Sequence, residues 1–328
     1  MGWPSVLEVS VVLTGTLMLA LAIDHALGEP AARLHPVVWM GNYLNWAAKQ
    51  LHPNPVPAIR DLKTFWLAAV FWSAGAALVL TVAFTLQWAA LQLPWYLAVP
   101  LLGFALKPML AWAMLRSEVA AVEVALGQSL DAGRQRLGFL VSRDTTNLSA
   151  TEVRESAIES LAENLNDSVV APLFWFVLFG LPGAAVYRFA NTADAMWGYP
   201  GLRNGGNWQW AGKWAARADD VLSWLPARIT ALLLVSVSSG VSLRQLRLEA
   251  RKTPSPNSGW PMAAMALALG VSLHKPGVYA LNSAGRLPQP PDTVLAQKYA
   301  SKVVLAQCFW LSLAILLIAF VKSGMNTT

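Results

Sequence analysis

A single cysteine, Cys308, in a chain of 328 residues excludes a disulfide within the chain. It lies in an apolar run, where a free thiol behaves as a small buried hydrophobe. Histidines number four, and no H-E-x-x-H or C-x-x-C occurs, which argues against a zinc protease. Gly212-Lys213 is followed by Trp214 and lacks the upstream glycine of G-x-x-x-x-G-K-[ST], which argues against a P-loop ATPase. Asn166-Asp167 lacks the second aspartate of an N-D-x-x-D prenyl-pyrophosphate site, and Asp219-Asp220 lacks the glycine-spaced array of lipid alcohol phosphotransferases.

Charge is scarce too. Charged residues make up 13% of the chain and hydrophobic ones 55%, and the mean hydropathy is +0.45, too apolar for a soluble protein of this length. The net charge of +6 is dispersed without a basic-aromatic stripe. Juxtamembrane anchoring therefore explains it, and no nucleic-acid partner is expected.

What is present is a set of apolar runs: Val6–Ile23, Phe65–Leu86, Pro94–Leu115, Ser168–Tyr187, Val221–Val241 and Val303–Val321. Each is long enough to cross a bilayer. Met1–Ser5 has no basic n-region and no A-x-A-like cleavage site follows, so the first run is expected to be a retained span. Gly180-Leu181-Pro182-Gly183 interrupts the fourth run, and Pro226 with Arg228 interrupts the fifth, so both are expected to be broken or re-entrant. Met262–Leu273 is too short to span and is expected as a buried or half-embedded helix. The fold class is thus an all-α polytopic membrane protein of about 4–6 spans, a single membrane-embedded domain over residues 1–328 without repeats. Lys and Arg concentrate in the connections 24–64, 116–167 and 244–302, which the positive-inside rule makes cytoplasmic. Re-entrant flanks would return 188–220 to the same side.

Polar residues gather in five blocks. Asp24-His25 and Gly28-Glu29-Pro30 lead to His35-Pro36. Ser142-Arg143-Asp144-Thr145-Thr146 precedes an acidic helix, and its hydroxyls and carboxylate are expected to cap it. At 100° per residue, Glu152, Glu155, Glu159, Glu163, Asn166 and Asp167 fall within an arc of roughly 120°, opposite Ile158, Leu161, Leu165 and Val169. Such a stripe is ordinarily a solvated face, but it also suits metal ions, an ammonium group or a magnesium-bound nucleotide. Next come Asn191-Thr192 with Asp194, Gly198 and Tyr199, then Arg217 with Asp219-Asp220, leading to Arg228. The last is Ser255-Pro256-Asn257-Ser258-Gly259-Trp260-Pro261, for which turn chemistry is a sufficient explanation. Their joint occurrence at membrane boundaries favours function, because ionisable groups are costly there.

In this order the blocks resemble the CobD/CbiB family of cobalamin biosynthesis proteins, from about Asp24 to Tyr279. The most specific parts are S-R-D-T, I-E-S-L-A-E-N-x-x-D at Ile158–Asp167, N-T-x-D-x-M-x-G-Y at Asn191–Tyr199, A-R-x-D-D with P-A-R, and S-P-N-x-G-W-P. The resemblance implies adenosylcobinamide-phosphate synthase activity in a bacterial inner membrane. A propionate of adenosylcobyric acid would be joined to (R)-1-amino-2-propanol O-2-phosphate, or to free aminopropanol, with ATP driving amide formation. ATP and Mg²⁺ are then expected, with no permanently bound cofactor. Partners are the bilayer and other membrane-associated corrin enzymes.

By residue type, Glu159, Glu163, Asp167, Asp219 and Asp220 are the expected magnesium ligands and catalytic carboxylates, with His35 or an acidic-face carboxylate as base. Arg143, Arg217 and Arg228 suit phosphates. Asp24, Asp144, Asn164, Asn191, Thr192, Asp194 and Asn257 suit substrate polar groups. The chain departs from the family pattern where Met262 replaces a glutamate, Leu267 a glycine, Ser223 an asparagine, and His274-Lys275 a glycine pair. A small-molecule transporter and a scaffold for corrin enzymes are the alternatives, the former on the broken helices and intramembrane charge.

Overall fold

The computed structural model describes residues 6–55, 60–203 and 205–325, so the reading of Met1–Ser5 and parts of the polar connections lie outside the described residues. The helices are α1 (Val6–Leu27), α2 (Pro36–Gln50), α3 (Leu62–Leu91), α4 (Trp95–Leu106), α5 (Trp112–Gln128), α6 (Leu130–Leu137) and α7 (Ala150–Leu165). They continue with α8 (Ala171–Trp197), α9 (Trp208–Ala211), α10 (Lys213–Val237), α11 (Leu243–Ala250), α12 (Gly259–Leu269) and α13 (Pro290–Met325). Among the described residues two small antiparallel strand pairs interrupt them, β1 (Leu202–Arg203) with β2 (Gly206–Asn207), and β3 (Leu273–Lys275) with β4 (Tyr279–Leu281). Among the described residues, six helical stretches are long and apolar enough to cross a membrane: Glu8–Leu27, Leu62–Leu91, Trp95–Gln128, Ala150–Trp197, Trp208–Val237 and Pro290–Leu317. All six runs expected from the sequence lie on these stretches, and the short Met262–Leu273 run is the buried helix α12.

The chain divides into two compact units. One comprises Met1–Leu110, Ala171–Leu222 and Leu311–Thr328; the other comprises Ala111–Val170 and Ser223–Trp310. In the first, α3 turns Ala68, Ala69, Gly75, Ala83 and Ala90 inward and exposes Trp66, Val70, Leu78, Val82 and Phe84. That is the pattern lipid demands, since close backbone approach rather than expulsion of water drives helix association in a bilayer. Gly75 meets Phe189 of α8 and Tyr43 of α2, where a methyl group would collide.

The break in α8 falls where the sequence places it. Gly180 has φ 69° and ψ −156°, a conformation essentially limited to glycine. Pro182 follows, and the Leu181 N–H donates to Gln87 Oε1 of α3 at 2.6 Å. A polar side chain thus satisfies the freed backbone in place of water. Gly180→Ala is expected to destabilise the protein by about 1–3 kcal/mol, because a Cβ would meet the Gln87 amide. Thermal unfolding in detergent checks it, with an unchanged midpoint as the contrary result.

The second expected interruption does not occur. α10 runs as one helix from Lys213 to Val237 with Pro226 inside it. Proline cannot donate to the carbonyl four residues back, but Trp175 Nε1–H donates to that carbonyl, Leu222 O, at 3.0 Å. A neighbouring indole has replaced the missing backbone donor, so no break is needed.

Candidate active site

The acidic helix α7 begins at Ser149, not at the upstream polar block. Ser149 Oγ accepts from Glu152 N–H, while the Glu152 carboxylate accepts from Ser149 N–H at 2.7 Å, a reciprocal capping box. Asp144 instead closes a local turn, accepting from Thr146 N–H and Oγ1–H at 2.9 and 2.8 Å. Those two bonds hold its carboxyl below the usual range. The upstream hydroxyls therefore shape the approach to the helix, and Glu152 is committed to its cap.

Beyond the cap, α7 is enclosed. Ile158, Leu161 and Leu165 are fully buried, as expected, but Glu155 and Glu159 are only 2% and 5% exposed. The stripe is not a solvated face. Neighbouring helices α5 and α12 pack against α7, and the β3–β4 hairpin lies across it. His274 of β3 sits with Nδ1 3.0 Å from Glu155 Oε1. Tyr279 of β4 hydrogen-bonds the Glu159 carboxylate and lies 3.7 Å from the Met262 sulfur. Burial, and then the Glu159 charge, pushes the Tyr279 phenol up, so it remains a donor. Met262 and His274, two of the departures noted above, thus meet at the acidic helix.

Arg143 reaches the same place. Its Nη2 donates to Ser156 Oγ and lies 3.9 Å from Glu159 Oε2. Glu159 Oε1, by contrast, is buried with no hydrogen-bond partner. Glu163 stands one turn further and acts on Glu159 electrostatically. Asn164 Nδ2 turns back to Ser160 O at 3.0 Å and Ser160 Oγ at 3.2 Å. The helix then widens into a single π turn over Asn166–Val170, a distortion frequent at functional sites. Here Asn166 donates to Asp167 Oδ1 at 2.7 Å and accepts from Thr230 Oγ1–H at 3.0 Å. Gln307 of α13 donates to Val170 O at 2.8 Å.

Also in this unit, Arg228 donates to Asn257 Oδ1 at 2.7 Å. Arg143, Asp144, Glu159, Glu163, Asn164, Asp167, Arg228 and Asn257 therefore belong to one compact unit.

The remaining sequence-derived residues belong to the other unit. Asp24 is fully buried and lies 3.5 Å from Lys107 Nζ, which also meets Glu29 Oε2 at 2.8 Å. His35 caps α2, its Nδ1 accepting from Val37 N–H at 3.2 Å, and its Nε2 is 3.1 Å from Glu29 Oε2. Both ring nitrogens are thus engaged. Burial alone would raise Glu29, but hydrogen bonds from His35 and Lys107 outweigh it and hold the carboxyl below its ordinary value. Asn191 Nδ2 donates to Asp219 Oδ1 at 3.4 Å, and Thr192 Oγ1 donates to Arg188 O at 2.7 Å. Gly198 N–H donates to Asp194 O at 2.7 Å, and a side chain at Gly198 would collide with the Asp194 carboxylate. Arg217 acts electrostatically on Asp220.

Among the described residues no three His, Cys, Asp or Glu side chains group closely enough to hold a metal ion by themselves. The donors fit an ion that arrives with phosphates, since Mg²⁺ commonly takes one or two carboxylates from the protein. Glu163 and Asp167, four residues apart at the end of α7, would be the pair to hold it, leaving Glu159 Oε1 to the substrate.

Sequence reasoning overlooked Lys107, Tyr279 and Gln87. Lys107 carried a usable signal, as the one charge within the apolar run Pro94–Leu115. Tyr279 and Gln87 carried none.

Comparison with known proteins adds a family. The family model described as CobD/Cbib protein matches residues 17–303. The chain is 41% identical over 271 residues to a probable cobalamin biosynthesis protein CobD from Methanothermobacter thermautotrophicus, covering 81% of this chain and 85% of that one. It is 39% identical over 303 residues to a probable cobalamin biosynthesis protein CobD from Thermococcus kodakarensis, covering 92% and 95%. To the cobalamin biosynthesis protein CobD of Chromobacterium violaceum it is 40% identical over 259 residues, covering 78% and 80%. No solved structure matches.

Proposed function

This chain belongs to the CobD/CbiB family, and from that premise we propose that it is an adenosylcobinamide-phosphate synthase. The reaction joins a propionate of adenosylcobyric acid to the amine of (R)-1-amino-2-propanol O-2-phosphate, or of free aminopropanol, through an amide bond. The observation that carries this reading is the buried carboxylate of Glu159, with one oxygen unpartnered and Arg143 and Tyr279 against the other side of the group.

An amine attacks only after losing its proton, and a carboxylate resists attack until activated. MgATP, when bound, would supply that activation by passing its terminal phosphoryl group to the propionate with release of ADP, and the amine would then displace inorganic phosphate. The protein's own part is to hold and orient. Glu159 receives the substrate ammonium and takes its proton, and Glu163 with Asp167 keeps that end of α7 negative. Arg143 offers a guanidinium to a phosphate or acyl oxygen, while Tyr279 donates to Glu159 and fixes its orientation. Taken by themselves, Asn191, Thr192, Asp194, Arg217, Asp219 and Asp220 form a second polar set within the other unit. On this reading the active face is cytoplasmic, with the basic connection 116–167 that leads into α7.

The test is mass spectrometry of products from detergent-purified protein given adenosylcobyric acid, MgATP and either amine. A corrinoid heavier by the dehydrated amine is expected, and the better amine names the substrate. Folded protein that gives no product with either amine overturns the reading in favour of a carrier or scaffold.

A further inference from the structure

The loop after α11 and the middle of α10 border an open cavity of about 610 Å³ lined by Arg228, Arg247, Arg251, Trp224 and Trp260. Its walls are fixed by the Ser255–Trp260 turn. Ser255 Oγ accepts from Asn257 N–H and Ser258 N–H, each at 3.2 Å, and Thr253 Oγ1 donates to Ser255 O at 3.0 Å. Arg228 is held across this turn. Its Nη1 donates to Trp224 O at 2.6 Å and Asn257 Oδ1 at 2.7 Å, and its Nη2 to Pro256 O at 3.0 Å. The indoles of Trp224 and Trp260 lie 4.5 and 4.9 Å from its guanidinium carbon. Three of its five N–H donors are used for positioning, leaving two for a ligand.

None of these three arginines forms an ion pair among the described residues. The single carboxylate of α11, Glu249, is taken by Lys252 at 2.7 Å and by Asn282 N–H at 2.7 Å. Three like charges line one cavity, and an anion bound there would offset their mutual repulsion. Guanidinium suits phosphate oxygens in particular. The volume falls in the range of small-molecule sites and exceeds what a single phosphate fills.

We infer that this cavity binds a phosphate-bearing anion through Arg228, Arg247 and Arg251. The phosphate arrives either on a soluble polyphosphate such as a nucleotide or on a lipid headgroup, since exposed Leu243 and Leu248 flank Arg247 on the amphipathic α11. The site stands apart from the acidic-helix chemistry. Only the identity of a soluble ligand rests on the proposed reaction.

The experiment uses the full chain in nanodiscs and reads binding alone. Calorimetric titration with inorganic tripolyphosphate in phosphatidylcholine nanodiscs tests the soluble source. Native mass spectrometry of protein from mixed phosphatidylcholine and phosphatidylglycerol tests the headgroup source. Arg247→Gln with Arg251→Gln removes two exposed charges without touching the core. Arg228→Lys keeps the charge and loses the fork.

Tripolyphosphate affinity about tenfold or more weaker in the double variant assigns the soluble source. Phosphatidylglycerol retained by the wild type and lost from the double variant assigns the headgroup. A weaker effect of the same sign is expected for Arg228→Lys. Equal binding by wild type and double variant in both arms overturns the inference. Tripolyphosphate binding through these arginines, in a chain that makes no amide, supports the site while overturning the proposed reaction.

Discussion

Replacing Lys107 with methionine is expected to destabilise the protein by about 3–5 kcal/mol, the cost of leaving buried charge without its partner. Lys107 is 3% exposed and stands between Asp24 and Glu29. Without the ammonium, two carboxylates would share an enclosed space. Adding Glu29→Gln should return part of the loss, because one of the two negative charges goes with it. Thermal unfolding in detergent measures both.

The pH dependence follows from Glu29. Its carboxyl is held below the ordinary value of 4.5, so its stabilising contribution is fully present above that pH. It is lost as pH falls through the lowered value. The gap between wild type and Lys107→Met should therefore narrow on acidification and widen towards neutrality. A gap independent of pH would mean that Glu29 is not coupled to Lys107.

Glu159→Gln is expected to lower turnover by about 10²–10⁴, the range for loss of a general base, while leaving the fold intact. Glutamine keeps the shape and an acceptor for Tyr279 in a place only 5% exposed. Thermal stability should hold or rise as turnover falls. Glu163→Gln should reduce turnover less, because its effect on the reacting end is electrostatic. Wild-type turnover in Glu159→Gln would remove α7 from the chemistry, whatever the product proves to be.

Apolar period and length made all six spans legible, and the glycine-proline pair at 180–182 located the break in α8. Both are local signals, and local signals survive tertiary context. The acidic stripe was legible as a stripe, but its burial was not. Periodicity tells which residues share a face; the cover over that face comes from His274 and Tyr279, more than a hundred residues later in the chain. The same reasoning explains the error at Pro226. A proline announces a missing donor, and nothing near it in sequence announces that Trp175 replaces it. Lys107 shows the reverse case, a local signal obscured by the hydrophobicity around it. Ser149 and Glu152 carried their capping pattern openly, and the denser polar block upstream drew attention from it.

The two units are each assembled from separated lengths of chain. The backbone passes from one to the other after Leu110, Val170, Leu222 and Trp310. During synthesis, therefore, no length of nascent chain short of α13 contains either unit whole. Contacts such as Thr293 Oγ1 to Glu123 at 3.0 Å and Gln307 to Val170 bind the last helix to segments made long before it. Early helices must wait in the bilayer with their inner faces unfilled until α13 inserts. Both units thus draw on α13, and removing the whole helix would take a segment from each.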